Sequence, residues 1–299
     1  MNITKTGMFA LVGRPNVGKS TLLNALAGEK VSIVSDKPQT TRSRIMAVVN
    51  RGGTQYVFVD TPGFHKPRNR LGDFMMELVE ETVTGTDAAV LVVEPEAPGR
   101  AEEALLEEIR ASGLPCILAV NKIDTVAPEA LLPVIAAYQG KMDFHAVIPL
   151  SAKTKDGLDI LLAELDALTE EGEALFPEDV VSDQEPEMMA AETIREKLLW
   201  KLEREVPHGT AVVLDRFEQD ENGVWQIMAT IFVEKASHKA IVIGKGGAML
   251  REIGRLARID LERQLGDKVF LELWVKVKEG WRDNLYQMRS FGYENESGT

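Results

Sequence analysis

Nine consecutive residues near the start of the chain combine two glycines with a lysine and a serine. They read GRPNVGKST, with four residues between the glycines and Lys-Ser directly after the second glycine. Glycines let a loop turn its N–H groups toward an anion, a lysine neutralises phosphate, and a serine hydroxyl can hold Mg²⁺. The pattern predicts a loop that binds the phosphates of a nucleotide. Its predicted phosphate-binding residues are Gly13, Arg14, Pro15, Asn16, Val17, Gly18, Lys19, Ser20 and Thr21.

Two later segments carry groups that can complete a magnesium site and sense the last phosphate. The first is Asp60-Thr61-Pro62-Gly63, whose four residues we also predict to bind phosphate: the acid can hold a Mg²⁺-bound water and the Gly63 N–H can bond the γ-phosphate. The second segment, Gln39-Thr40-Thr41-Arg42, contains two adjacent threonines. One of them can bind Mg²⁺ only when the γ-phosphate is present. We favour Thr41 and keep Thr40 open. Ser20, Thr41 and Asp60 (through water) form the predicted metal site, and the predicted switch residues are Gln39, Thr40, Thr41, Arg42 and Phe64.

A third group of polar residues has the chemistry to select a purine base. Asp124 lies in Asn121-Lys122-Ile123-Asp124, after an apolar run. Its carboxylate can accept from both N1–H and the exocyclic amine of guanine, whereas adenine presents an acceptor at N1. The sequence therefore predicts GTP rather than ATP. Ser151-Ala152-Lys153 would support the base, with the Ala152 N–H directed at the guanine oxygen. The predicted guanine-binding residues are Asn121, Lys122, Asp124, Ser151, Ala152 and Lys153.

These motifs need a fold that brings them to one edge. Apolar runs of strand length alternate with amphipathic segments over the first 170 residues, which predicts an α/β domain with a mostly parallel sheet and helices on both faces. Ligands bind such sheets at the carboxyl ends of the strands, where each motif falls. We assign residues 1–170 to this nucleotide-binding domain.

Charge separates the chain into regions. Residues 170–187 hold eight acids and no lysine or arginine, so we predict an extended acidic linker over 171–187. The net charge is −13, yet residues 190–289 hold 17 basic against 16 acidic residues. Neither a secretion-leader pattern nor a membrane-spanning apolar run is found in the sequence, so we expect a protein that is not secreted, and its single cysteine, Cys116, is predicted to be buried.

The remaining residues, 188–299, carry a second candidate site and a C-terminal tail. Gly244-Lys245-Gly246-Gly247 lies between two predicted helices, where glycines allow close approach of a nucleic-acid backbone. The order helix, two strands, helix, glycine turn, helix, strand resembles a type II KH domain, an α+β RNA-binding fold. Trp274 and Trp281 could stack on bases or pack in the core. The predicted RNA-binding residues are Lys239, Ile243, Gly244, Lys245, Gly246, Gly247, Arg251 and Arg255.

Taken in order, the motifs GRPNVGKS, QTTRS, DTPG, NKID and SAK resemble those of the translation-factor class of P-loop GTPases. With the KH-like region they resemble the Era family of bacterial ribosome-assembly GTPases, over nearly the whole chain. Membership implies a GTPase that uses Mg²⁺, binds 16S ribosomal RNA near its 3′ end and assists maturation of the small (30S) subunit in the cytoplasm. Partial, peripheral association with the inner face of the membrane is also implied.

The resemblance raises one catalytic question. Ras-like GTPases place a glutamine after the DxxG motif to orient water, whereas this chain has Phe64. Asn16 resembles the asparagine that holds K⁺ in related GTPases, so we hypothesise that K⁺ could supply positive charge beside the β- and γ-phosphates, and we expect slow basal hydrolysis. Two other functions are alternatives for this sequence: a GTP-dependent peripheral membrane or cell-cycle regulator, and a kinase, which Asp124 argues against. We expect a monomer that does not bind DNA.

Overall fold

The computed structural model describes residues 2–64 and 66–293, and the chain divides into two compact units. The first unit takes the described residues within Met1–Val34, Thr41–Pro67 and Gly72–Asp183. The second takes those within Ser35–Thr40, Arg68–Leu71 and Gln184–Thr299. The end of the predicted C-terminal tail, residues 294–299, lies outside the described residues.

The strands of the first unit form one sheet, mostly parallel as predicted. They are β1 (Lys5–Val12), β2 (Ile45–Arg51), β3 (Thr54–Asp60), β4 (Ala88–Val93), β5 (Cys116–Val120), β6 (Ala146–Pro149) and β7 (Glu170–Glu171). The order is β2-β3-β1-β4-β5-β6, with β7 antiparallel to β1. β2 and β3 form the antiparallel hairpin that the glycine pair between them predicts.

Helices cover both faces of this sheet: α1 (Lys19–Ala27), α2 (Arg70–Thr84), α3 (Arg100–Ser112), α4 (Leu131–Gln139) and α5 (Leu158–Asp166). Alternation along β1 divides the apolar core in two, because successive side chains point to opposite faces. Phe9 and Leu11 belong to the cluster that includes Leu22 of α1. Ala10 and Val12 belong to the cluster that includes Leu105 of α3. Cys116 is buried, as predicted.

The register of the parallel strands brings their carboxyl ends to one edge. Leu11 of β1 is level with Asp60 of β3, and Val120 of β5 is level with both Val93 and Pro149. The segments after these strands therefore emerge side by side, and they contain the phosphate, magnesium and base motifs.

The predicted extended linker differs in the structure: the segment after β7 turns at residues 177–180, its end from Pro186 onward belongs to a helix, and the part before that is held against the sheet. Buried Gln55 accepts from the N–H groups of Leu175 (2.8 Å) and Phe176 (2.9 Å) and donates to the Phe176 carbonyl. Val48 of β2 donates to the Val181 carbonyl at 2.8 Å. The segment thus belongs to the first unit as far as Asp183 and covers the otherwise open edge of β2.

The second unit has the element order predicted for it: α6 (Pro186–Lys201), β8 (Ala211–Gln219), β9 (Trp225–Val233), α7 (Ala236–Ile243), α8 (Ala248–Leu265) and β10 (Val269–Val277). A further short helix that was not predicted, α9 (Leu285–Ser290), follows β10. The sheet order is β10-β9-β8, with β9 parallel to β10 and antiparallel to β8. Ile227 and Ile231 of β9 share one buried cluster with Leu198 of α6 and Ile253 of α8.

Throughout the described residues, the helices all lack the combination of length and apolar character needed to span a membrane.

Candidate nucleotide site and nucleic-acid groove

The predicted phosphate loop joins β1 to α1, and close packing fixes its shape. A Cβ at Gly18 would lie 2.3 Å from Asn121 Nδ2, and one at Gly13 would lie 2.4 Å from the Val92 carbonyl oxygen. Gly18 also has φ 102°, where side chains are disfavoured. Both positions therefore need glycine. Asn121 also donates to the Val17 carbonyl (2.9 Å), which ties the base motif to the loop.

Lys19, the first residue of α1, is buried beneath the loop. Its Nζ donates to the carbonyls of Gly13 (3.0 Å) and Arg14 (3.1 Å). Burial lowers the pKa of Lys19 to about 8, and the attraction of the Asp60 carboxylate opposes this shift. The ammonium is therefore poorly compensated inside the protein, so a phosphate would favour its charged form.

Oxygen atoms gather beside the lysine at the end of β3. Ser20 Oγ lies 2.8 Å from Asp60 Oδ2 and 3.0 Å from Thr41 Oγ1, and Ser32 Oγ donates to the same carboxylate oxygen at 3.3 Å. The other carboxylate oxygen of Asp60 is buried, and no group of residues 2–64 and 66–293 hydrogen-bonds to it. Burial raises the pKa of Asp60, against the opposing effect of Lys19 and the hydroxyls.

This group fits Mg²⁺, a hard cation that prefers oxygen ligands and keeps several waters. An unpartnered buried carboxylate oxygen beside two hydroxyls offers the cation or its water a place to bind. The two threonines differ here, because the Thr40 hydroxyl donates to the Lys37 carbonyl at 2.6 Å and the Thr41 hydroxyl faces Ser20. The geometry favours Thr41 as the ligand. Ser32 is a member of this group that no motif pointed to.

The base motifs meet beyond the ends of β5 and β6. Ser151 donates to Asp124 Oδ1 at 2.8 Å, and the Ala152 N–H donates to Asn121 Oδ1 at 2.9 Å. Asp124 is exposed and oriented by the serine, so its carboxylate can meet a base from solvent. Lys122 Nζ donates to the Asn16 carbonyl at 2.7 Å. Lys153 is exposed at the end of the group.

The loop after β3 lies close to the phosphate loop. The Phe64 N–H donates to the Gly13 carbonyl at 3.0 Å, and a Cβ at Gly63 would lie 2.6 Å from Pro15 Cα. The Phe64 side chain packs against the apolar cluster around Val12. Because this side chain is a hydrocarbon, it cannot hydrogen-bond to the water that attacks the γ-phosphate in a GTPase. The Thr61 hydroxyl donates to the Leu11 carbonyl at 2.9 Å, which fixes the segment after β3 against the end of β1.

The predicted switch residues fall in different units. Thr41 and Arg42 are buried in the first unit. Gln39 and Thr40 belong to the second unit, in which the buried Arg195 guanidinium donates to both of their carbonyls. Arg195 is a contact of this segment that sequence analysis did not identify, because 155 positions or more separate the partners.

A groove of about 530 Å³ runs between α8 and β10 of the second unit. Three arginines at helical spacing line one side, and an alternate pair of β10 leucines lines the other. The lining residues are Gly247, Leu250, Arg251, Gly254, Arg255, Arg258, Leu271, Glu272 and Leu273. The groove thus combines apolar surface with cationic groups, as a cleft for single-stranded nucleic acid requires.

The glycine turn stands at one end of this groove. A Cβ at Gly244 would lie 2.7 Å from Met249 Cβ, so close packing requires glycine there. Gly246 has φ 59° and open space around it, and Lys245 beside it is exposed. Lys239 and Ile243 lie on the preceding helix, α7, outside the groove lining.

One of the groove arginines, Arg255, forms an ion pair with a neighbouring glutamate on the same helix. Arg255 bonds Glu252 through Nε (2.8 Å) and Nη2 (2.9 Å), and Lys201 lies 3.5 Å from the same carboxylate. Hydrogen bonds from Arg255, together with the charges of Arg255 and Lys201, lower the pKa of Glu252 to about 2.

Of the two tryptophans considered for stacking, Trp281 is fully buried and donates to the Gly209 carbonyl at 3.0 Å. Stacking by Trp281 is excluded, because its ring fills the core beside Phe291 and Tyr293. Trp274 is 54% exposed on β10.

Comparison with known proteins decides the family. A family model described as 50S ribosome-binding GTPase matches residues 8–122, and one described as KH domain matches residues 205–282. Over 291 residues the chain is 44% identical to GTPase Era of Ruminiclostridium cellulolyticum, spanning 97% of this chain and 98% of that protein. This chain belongs to the GTPase Era family.

Solved Era structures agree with this assignment. A crystal structure of Era in complex with MgGDPNP and nucleotides 1506–1542 of 16S ribosomal RNA has a TM-score of 0.95 and 38% identity, over 98% of this chain and all of that one. A variant of Aquifex aeolicus Era bound to GDP and AlF4⁻ has a TM-score of 0.93 and 38% identity, over 97% of this chain and 100% of that chain.

The predictions of family, fold class and enzyme class are thereby confirmed. The protein is a GTPase with a P-loop α/β domain followed by an Era-type KH domain. The order from α6 to β10, helix-strand-strand-helix-helix-strand, is that of the type II KH fold.

Proposed function

We propose that the edge formed by the carboxyl ends of β1, β3, β5 and β6 binds Mg²⁺–GTP. In this proposal the loop N–H groups from Gly13 to Thr21 and the Lys19 ammonium hold the phosphates. Ser20 and Thr41 hold Mg²⁺, and Asp60 holds one of its waters. The single observation that carries this is a buried oxygen of Asp60 that has no hydrogen-bond partner within the described part of the chain and lies beside two hydroxyls and a buried lysine.

The base is guanine in this proposal, held by the Asp124 carboxylate. Ser151 fixes that carboxylate, and Asn121 links the base motif to the phosphate loop through Val17. Lys122 and Lys153 would flank the ring, and the Ala152 N–H would meet the guanine oxygen. Competition of ATP and GTP for a fluorescent guanine nucleotide tests this, and comparable affinity for the two would contradict it.

Hydrolysis needs a water-orienting group other than Phe64, whose side chain packs in the core. We propose that K⁺, bound with the help of Asn16, supplies positive charge near the β- and γ-phosphates and that basal turnover is slow. Asn16 is exposed in a left-handed backbone conformation within the loop. Equal hydrolysis rates in Na⁺ and K⁺ would remove this part of the proposal.

The groove of the second unit is proposed to bind 16S ribosomal RNA near its 3′ end, in the service of 30S subunit assembly. A solved relative with 38% identity is in complex with nucleotides 1506–1542 of that RNA. Arg251, Arg255 and Arg258 would meet phosphates or stack on bases, and Lys245 would meet the backbone at the glycine turn.

GTP is proposed to gate this RNA binding, because the γ-phosphate would order the segments around Thr41 and Gly63. Crosslinking the full chain to the 3′-terminal 16S fragment, with GDP or with a non-hydrolysable GTP analogue, tests partner and switch together. We expect stronger crosslinks with the analogue. Equal crosslinking in both states would refute the gating, and no crosslinking would refute the RNA partner.

Gly246→Asp is the matched variant for this test. The position has open space and a left-handed backbone that aspartate tolerates, so the variant should fold. Its charge would repel phosphate, and RNA binding should be lost while GTP hydrolysis persists.

We further propose a monomer in the cytoplasm that does not bind DNA, with a minor part at the inner face of the membrane. The net charge of −14 outside residues 190–289 opposes binding to anionic lipid. Flotation with anionic vesicles tests the membrane part, and sedimentation tests the monomer. The alternative function, a membrane or cell-cycle regulator, requires that flotation succeed and RNA crosslinking fail.

A further inference from the structure

Glu94 follows β4 directly and carries a carboxylate that no motif explains. Its Oε1 accepts from Lys122 Nζ, and its Oε2 lies 3.8 Å from Arg14 Nη2. Lys122 Nζ also donates to the Asn16 carbonyl at 2.7 Å. One side chain therefore contacts the base motif directly and stands beside the phosphate loop.

We propose that Glu94 is a positioning residue for guanine-nucleotide binding, acting through Lys122. The inference rests on the nucleotide placement proposed above. In that placement the methylene stem of Lys122 flanks the guanine ring, and its ammonium is anchored away from the base. The Asn16 carbonyl supplies one acceptor, and Glu94 supplies the counter-charge.

The backbone gives this anchoring a purpose. Lys122 has φ 63°, a left-handed conformation that a lysine rarely adopts, so contacts beyond its own backbone must hold the residue. A lysine side chain also has many rotamers, and fixing it before the ligand arrives reduces the entropy lost on binding. Removing the Glu94 charge should release the ammonium into solvent and disorder the wall of the base site.

A second ion pair in the same unit provides the control. Lys141 and Glu103 are 2.8 Å apart, with side chains 49% and 43% exposed, against 36% and 30% for Lys122 and Glu94. The control pair joins α3 to the residues after α4 and includes no residue of the nucleotide motifs. Both pairs are partly exposed, so both should add little to stability. Only the Glu94 pair should affect nucleotide binding.

The experiment measures how fluorescently labelled analogues of GDP and GTP bind to the full-length protein and dissociate from it. We expect Glu94→Gln to weaken affinity about tenfold, mainly through faster dissociation, and Glu103→Gln to change it less than about twofold. Both variants should melt, without nucleotide, at the temperature of the original chain. Equal affinities for the two variants would overturn the proposal. So would a fall in Tm confined to Glu94→Gln, because that would assign the residue to folding.

Lys122→Met tests the route, because it keeps an unbranched stem and removes the ammonium. In that background Glu94→Gln should weaken affinity less than about twofold further, since the two residues act as one unit. If Glu94→Gln weakened affinity as much in the Lys122→Met background as in the original chain, Glu94 would not act through Lys122, and the inference would be overturned. If Lys122→Met left affinity unchanged, the ammonium anchor would have no role and the inference would fall, whereas comparable affinity of the original chain for ATP and GTP would refute the nucleotide placement itself. Weakening by Lys122→Met alone would overturn only the role of Glu94.

Discussion

The candidate nucleotide site and the groove between α8 and β10 differ in how firmly the protein fixes their charged side chains before a ligand binds. In the first, Lys19 and Asp60 are buried, and hydroxyls and carbonyls hold them at about 3 Å. In the second, Arg251, Arg255 and Arg258 are exposed along one helix. A small ligand of one shape is suited to a rigid site, whereas a polymer read along its length is suited to a solvated row of cations.

The largest expected effect is in the base site. Asp124→Asn should lower GTP affinity about a hundredfold or more, because the amide offers a donor where guanine also donates. Xanthosine triphosphate, which carries a carbonyl in place of the amine, should gain affinity. Competition binding with both nucleotides checks this. Asp159→Asn, at an exposed carboxylate paired with Arg51, is the control and should alter neither.

Replacing glycine by alanine in the phosphate loop and in the glycine turn should show that the first is tightly packed and the second is open to solvent. Gly18→Ala would place a Cβ 2.3 Å from Asn121, and overpacking of about 1–3 kcal/mol should weaken GTP roughly tenfold to a hundredfold. Gly246→Ala meets open space and incurs only the left-handed backbone, about 1 kcal/mol of stability. Nucleotide titration and thermal melts of both variants measure the contrast. Equal losses of GTP affinity would contradict the difference in rigidity.

The groove should respond to charge in a graded way. Arg258→Gln should weaken RNA binding several-fold and reduce the slope of log affinity against log salt by roughly 0.7, one phosphate contact to single-stranded RNA. Arg263→Gln is the control on the same helix, because Arg263 is 75% exposed, pairs with Asp260 and lies outside the groove lining. Salt titrations of the two variants should diverge, and identical slopes would argue against the groove.

The smallest effect concerns the acid beside Arg255. Glu252→Gln should raise RNA affinity about twofold to threefold at low salt, because the carboxylate competes with phosphate for the guanidinium. The pKa of Glu252 is lowered to about 2, so the group stays charged until pH falls toward that value. The RNA affinity of the original chain should therefore show no pH dependence that arises from Glu252 between pH 5 and 8. A titration in that window which Glu252→Gln abolishes would contradict this.

Sequence was enough to predict whatever depends on residues close together along the chain. Strand, loop and helix around Lys19 follow from local pattern, and Arg251 and Arg255, which lie four positions apart on α8, line the same groove. Contacts between residues far apart along the chain could not be predicted from the sequence. Ser32 reaches Asp60 over 28 positions, and Glu94 reaches Lys122 over the same span.

Ambiguities of side-chain direction also needed the structure. Thr40 and Thr41 carry the same hydroxyl, and only their hydrogen bonds distinguish them. Trp281 could have faced solvent or core, and its indole N–H found a carbonyl inside. The composition of residues 171–187 indicated an extended chain, but the amide of Gln55 that holds its first part lies 120 positions away.

That amide has a practical consequence for anyone dividing the protein. Ending the chain after residue 170 would strip Gln55 of three hydrogen bonds and expose the backbone of β2 as an unpaired edge. Such a fragment would be prone to pair strand to strand with its own copies. A fragment that ends after Asp183 keeps its edge covered, and it should be the shortest piece that behaves well at high concentration.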